Sequence, residues 1–248
     1  MNGFRSIHVI SLALTYLEAG LVLIAVTLLS AKHAWGRYKT LAAILVFLLW
    51  GSALSLLTPH LYKVVERHLL YKIYFYSYWL SFIVEAILMV VFCYGILTRL
   101  FWSVPNLRFI AIRVFWGIVL LWGAMSAGPL FRPHLTAMRL VVPVATQVQQ
   151  LADEVSLFTA VTVFASIRPL GIELRSPLPA FGLGLVFSAM ILFSDQFMTG
   201  AGGAWTFQRL EIFDGAVVCA QLMCWIAAIS WLEDGREIVS AYVSDRLW

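Results

Sequence analysis

Residues 74–97, YFYSYWLSFIVEAILMVVFCYGIL, decide the fold. The run is long enough to cross a bilayer as a helix, which needs ~20 mostly apolar residues at ~1.5 Å rise each. No Lys or Arg interrupts it between Lys72 and Arg99, but an acid, Glu85, sits near its middle. An ionisable group at bilayer depth costs at least ~2.5–3.5 kcal/mol on insertion scales, so it usually serves a function and has a partner.

The same design recurs along the chain. Glu18 and the pair Asp153–Glu154 each fall about halfway along another long apolar stretch, again with no basic residue at that depth. Hydrophobic residues make up 62% of the sequence and charged residues 12%, with a mean hydropathy of +0.89. That charge content is about half of what a soluble domain carries. The net charge of +4 is spread through the loops, as topogenic charge is, and does not form a nucleic-acid surface.

Seven helices are expected, at Ile7–Leu29, Thr40–Leu57, Tyr74–Leu97, Ile110–Leu130, Met138–Ser166, Pro179–Thr199 and Leu210–Leu232. The fold class is therefore all-α, one polytopic bundle over 1–232 with a short cytoplasmic tail at 233–248. Barrel strands alternate over ~10 residues, and these runs do not. Pro59, Pro105, Pro133, Pro169, Pro177 and the Gly200–Gly203 stretch mark helix stops, and Pro143 should kink the fifth helix. The segment Leu61–Lys72 reads equally as a short interfacial helix or as a polar loop. No internal repeat stands out of the kind that gives many transporters their inverted halves. With the N-terminus outside, ten Lys and Arg lie on the cytoplasmic side and seven on the other, which favours N-out, C-in in a bacterial inner membrane. No cleavable signal peptide is evident, and Cys93, Cys219 and Cys224 all lie within spans.

Helical spacing gathers the polar residues. His8, Ser11, Thr15 and Glu18 share one face of the first helix, and Tyr74, Tyr78, Ser81 and Glu85 share one face of the third. The fifth carries an arc of Thr146, Gln147, Gln149, Gln150, Asp153 and Glu154. Ser52, Ser55 and Thr58 on the second helix lie at the same end of the bundle. So do Ser188, Ser194, Asp195 and Thr199 on the sixth and Glu211, Asp214 and Gln221 on the seventh. The opposite half is far more apolar. Polar side chains also join helices to one another, at ~0.6 kcal/mol each. Aligned stripes on six helices favour a cavity that opens on the N-terminal side and ends near the acids.

The candidate ligand- or proton-binding set is Glu18, Glu85, Asp153, Glu154, Gln150, Gln147, Tyr78, Thr15, Ser81, Asp195 and Asp214. An acid at this depth needs a hydrogen-bond partner when protonated, or an incoming cation when ionised. The aromatic run at residues 74–79 serves first as an interfacial belt. His8, His60 and His134 are weak metal candidates, since no pair has HExxH or HxxxH spacing, and no metal is expected. No phosphate loop, nucleophile elbow or catalytic cysteine context appears, so an enzyme is not expected and no cofactor is indicated.

Seven spans invite comparison with rhodopsins and receptors, but the last helix has no lysine for a retinal Schiff base. The pattern Tyr76-Ser77-Tyr78-Trp79 followed by Glu85-Ala86 resembles small seven-helix bacterial membrane proteins. The arrangement is also similar to the seven-helix sensor modules of bacterial histidine kinases and cyclases. The resemblance covers helices one to three best and implies a fold without a known activity. Sixteen residues after Leu232 leave no room for a kinase or cyclase domain, so a signal would pass to a separate protein or a second copy. The resulting expectation is a receptor-like or accessory membrane module that binds a small molecule, lipid, quinone or proton. The alternatives are a proton- or cation-coupled transporter and a structural subunit of a larger complex.

Overall fold

The computed structural model describes residues 2–36, 38–61, 67–126, 137–199 and 204–232. Seven helices are present among them: α1 (Asn2–Ala31), α2 (Lys39–Leu61), α3 (Arg67–Leu100), α4 (Pro105–Ser126), α5 (Ala137–Ile167), α6 (Pro177–Thr199) and α7 (Ala204–Ser230). Six of the seven contain described segments long and apolar enough to cross a membrane, and α6 contributes a shorter apolar stretch, Pro177–Met190.

The ends follow local chemistry. Pro105 opens α4 and Pro177 opens α6 at the first helical position, where the missing N–H costs nothing. α1 and α5 close with the same device, a residue in the left-handed region after the last turn. It is His33 (φ 47°) in one and Gly171 (φ 65°) in the other. Around them Ala34 N–H donates to Leu29 O at 3.1 Å, and Ile172 N–H to Ile167 O at 2.9 Å. These are the six-to-one bonds of a Schellman cap.

Most helices begin earlier than their apolar runs. α3 starts at Arg67, so Arg67–Lys72 forms its first turns and is neither a separate interfacial helix nor a loop. The intervening residues 62–66 lie outside the described residues. α2 runs two residues past Pro59, and α5 continues through Pro143 as one helix. Apolarity marks only the lipid-depth part of a helix. The polar turns beyond it stay helical, because a helix bonds its own backbone wherever it goes.

The packing order differs from the chain order. α1, α2, α3, α5, α6 and α7 form a closed ring in which each helix touches the next, while α4 packs outside it on α3 and α5. Phe115 is the buried anchor of α4, with its ring 5.7 Å from Tyr94 on α3. Much of the rest of α4 is exposed, as at Leu120, Leu121 and Met125. Inside the ring, the half away from the N-terminus is closed by an apolar core that includes Leu29, Leu45, Phe92, Phe181, Leu222 and Trp225. Lys32 Nζ donates to Leu232 O at 3.0 Å, placing a cation on a carbonyl beyond the end of α7.

Candidate functional site

The ring encloses a cavity of about 730 Å³, open rather than sealed, in the half of the bundle that carries the N-terminus. All six ring helices line it and α4 does not. The spacing explains which side chains meet there. Thr15 and Glu18 on α1, and Tyr78, Ser81 and Glu85 on α3, recur at three or four residues and so face the axis together. α5 adds Thr146, Gln149, Gln150 and Asp153, α2 adds Ser52 and Ser55, α6 adds Ser188, and α7 adds Asp214 and Gln221.

Four carboxylic acids from four helices therefore border one space: Glu18, Glu85, Asp153 and Asp214. No Lys, Arg or His occurs among its described lining residues. Glu18 and Glu85 border the same space from α1 and α3. Ser52 Oγ donates to Glu18 Oε1 at 3.1 Å and also approaches Leu48 O at 3.0 Å. Gln149 Nε2 donates to Asp153 Oδ1 at 3.2 Å, and Asp153 is 1% exposed, so this acid is held in a fixed place. Thr15 Oγ1 bonds back to Ser11 O at 3.1 Å, within its own helix. At the rim, Tyr78 stacks on Phe82 (6.0 Å, 15°) and meets Trp79 edge-on.

Of the expected set, Glu18, Glu85, Asp153, Gln150, Tyr78, Thr15, Ser81 and Asp214 come together in the lining. Two others do not. Glu154 is one residue, or ~100°, around α5 from Asp153 and is absent from the described lining. Gln147 is also absent from the described lining, with a buried Oε1 that has no hydrogen-bond partner among the described residues. The side chains of Asp195, His8, His60 and His134 lie outside the described residues. Ser52, Gln149 and Ser188 join the lining from outside the expected set: each belongs to a polar stripe, but only three-dimensional packing brings Ser52 to Glu18. Among the described residues no three His, Cys, Asp or Glu side chains converge in a metal-binding group. The acids surround a volume and do not focus on a point, which suits a ligand larger than a bare ion. No protein-family profile, curated protein or solved structure matches the chain.

Proposed function

We propose that the chain is a seven-helix integral membrane protein whose cavity binds a small molecule bearing a positive charge, such as an amine or a quaternary ammonium ion. The observation that carries this reading is the pair Glu18 and Glu85, from two helices of the ring, on one open cavity whose described lining holds no basic residue. In a low-dielectric interior an ionised carboxylate needs a counter-charge, and a cationic ligand supplies it. Tyr78 and Phe82 in the lining add ring faces of the kind that attract ammonium groups. The protein acts as a receptor-like or accessory module, through a partner chain or a second copy. It lies in a bacterial inner membrane with the N-terminus outside, so the cavity faces away from the cytoplasm.

The test uses purified protein in detergent and tetraethylammonium as the probe, read by equilibrium binding and by thermal stability. Saturable binding is expected, with a rise in melting temperature that Glu85→Gln abolishes while the unliganded protein still melts cooperatively. Binding that survives both Glu85→Gln and Glu18→Gln would remove the acids from the recognition.

A further inference from the structure

Helix direction alternates along the chain, and α4 uses one crossing outside the ring. As a result α1-α2-α3 and α5-α6-α7 run in the same up-down-up sense. The two junctions between these units, α3 with α5 and α7 with α1, each join parallel helices. A two-fold axis along the bundle would therefore exchange α1 with α5, α2 with α6 and α3 with α7.

The sequence carries the same relation at a separation of 136 residues. Without a gap, it pairs Glu18 with Glu154, Lys32 with Arg168, Lys39 with Arg175, Ser52 with Ser188, and Glu85 with Gln221. Burial repeats at the same separation in α2 with α6 and in α3 with α7; α1 and α5 do not share it, since Ala25 is buried where Val161 is 58% exposed. Ala42, Ile44, Leu45 and Ser52 of α2 are buried, and so are Leu178, Ala180, Phe181 and Ser188 of α6. Ala86, Met89, Phe92, Cys93 and Ile96 of α3 match Leu222, Trp225, Ala228 and Ile229 of α7 and Leu232 just beyond it. Helical periodicity alone can align one helix pair by chance; it does not force two pairs and the loop charges to one separation. On α5 the acid that faces the cavity is Asp153, one position before the match to Glu18.

The cavity sits between the two units and is closed below by the apolar core, whose first layer holds Phe92, Phe181 and Trp225. Met89 lines its floor, and one turn further along α3 lies Phe92, ~4.5 Å along the axis. Phe92 meets Phe181 (5.5 Å) and Trp225 (5.8 Å). Phe92 and Phe181 also line a second, smaller pocket of about 70 Å³, together with Ile96 and Arg99, toward the other face. The indole Nε1 of Trp225 is buried and has no hydrogen-bond partner among the described residues.

From this we propose that the chain is a tandem repeat of two parallel three-helix units that carries an organic cation. The units move about their shared axis, and the ligand passes the Phe92–Phe181–Trp225 layer. Parallel repeats about an axis normal to the membrane, with the site at their interface, are an established way to build alternating access. The proposal rests on the cation-binding reading above and adds passage to it.

The test places single cysteines in a background with Cys93→Ala, Cys219→Ala and Cys224→Ala. Ser55→Cys reports the cavity and Ile96→Cys the small pocket beyond the layer. Sealed vesicles are exposed to a membrane-impermeant maleimide from either side, with and without tetraethylammonium. The expected result is labelling of Ser55→Cys from the N-terminal side and of Ile96→Cys from the other. Tetraethylammonium protects Ser55→Cys, and Trp225→Ala speeds labelling of Ile96→Cys about tenfold by shifting the equilibrium between the two states. If Ile96→Cys stays inert even with Trp225→Ala while tetraethylammonium still protects Ser55→Cys, passage is overturned and cation binding stands. If Ile96→Cys labels but the cation protects neither position, the cationic cargo is overturned along with the binding reading.

Discussion

Gly184→Ala offers a sharp test of how α6 fits into the ring. A Cβ built on Gly184 would fall 2.6 Å from Cδ1 of the Trp225 indole and closer still to its Nε1. Trp225 is fully buried and packs against Phe92, so the ring has little room to withdraw. Overpacking of this kind costs about 1–3 kcal/mol, and a large buried ring puts it near the upper end. Replacing a helical glycine by alanine returns up to ~1 kcal/mol of helix propensity, which leaves a net loss of about 2 kcal/mol. Gly117→Ala on α4 is the control, because its Cβ meets nothing within 4 Å and only the propensity gain applies. The two variants should therefore differ by about 3 kcal/mol in unfolding of the purified protein in mixed micelles, followed by tryptophan fluorescence and circular dichroism. Trp225→Phe should remove most of the Gly184→Ala penalty, giving a coupling energy well above the error of the cycle. Equal stability of Gly184→Ala and Gly117→Ala would refute the close approach of α6 to α7 and the layer built on it.

Other consequences are smaller. Ser52→Ala removes a described donor to Glu18; it should cost about 0.6 kcal/mol, typical of a side-chain bond between membrane helices, and change the carboxyl bands of the infrared spectrum. The band change should vanish in Glu18→Gln. Lys32→Met removes the donor to Leu232 O, so hydrogen exchange at residues 229–232 should quicken while the cavity still takes up tetraethylammonium as before. Gly182→Ala brings a Cβ to 3.1 Å from Val163 Cγ1, a contact that a slight shift of one methyl relieves, so its unfolding free energy should fall well short of the Gly184→Ala loss.

The helices and most of the cavity were legible in the sequence because both obey simple periodic rules. Twenty-residue apolar runs announce spans, and a three-four spacing put Glu18 under Thr15 and Glu85 under Ser81 before any packing was considered. The fine choice within α5 was not legible. Asp153 and Glu154 are adjacent acids in a broad polar arc, and a turn of ~100° decides which one faces the axis. That rotation is set by the packing of α5 against both α3 and α6, which no local pattern encodes. Helix starts are hidden for a related reason: Arg67–Lys72 looks unlike a span because it is polar, yet it continues α3 without a break.

The ring order was the least visible feature, and it changes what the acids mean. Read in chain order, Glu18, Glu85 and Asp153 belong to the first, third and fifth helices and imply a simple progression around a bundle. With α4 outside, α3 and α5 become neighbours, and Glu18, Glu85, Asp153 and Asp214 fall two to each three-helix unit. Each unit supplies one acid from its first helix and one from its third. On the proposed repeat the acids themselves do not coincide: at a separation of 136 residues Glu18 meets Glu154 and Glu85 meets Gln221, so Asp153 and Asp214 stand at different positions of their unit. Polar and basic positions drift less freely at membrane depth and at its borders. On the proposed repeat, that accounts for Ser52 with Ser188, Lys32 with Arg168 and Glu85 with Gln221 holding a relation that the surrounding leucines and valines do not show.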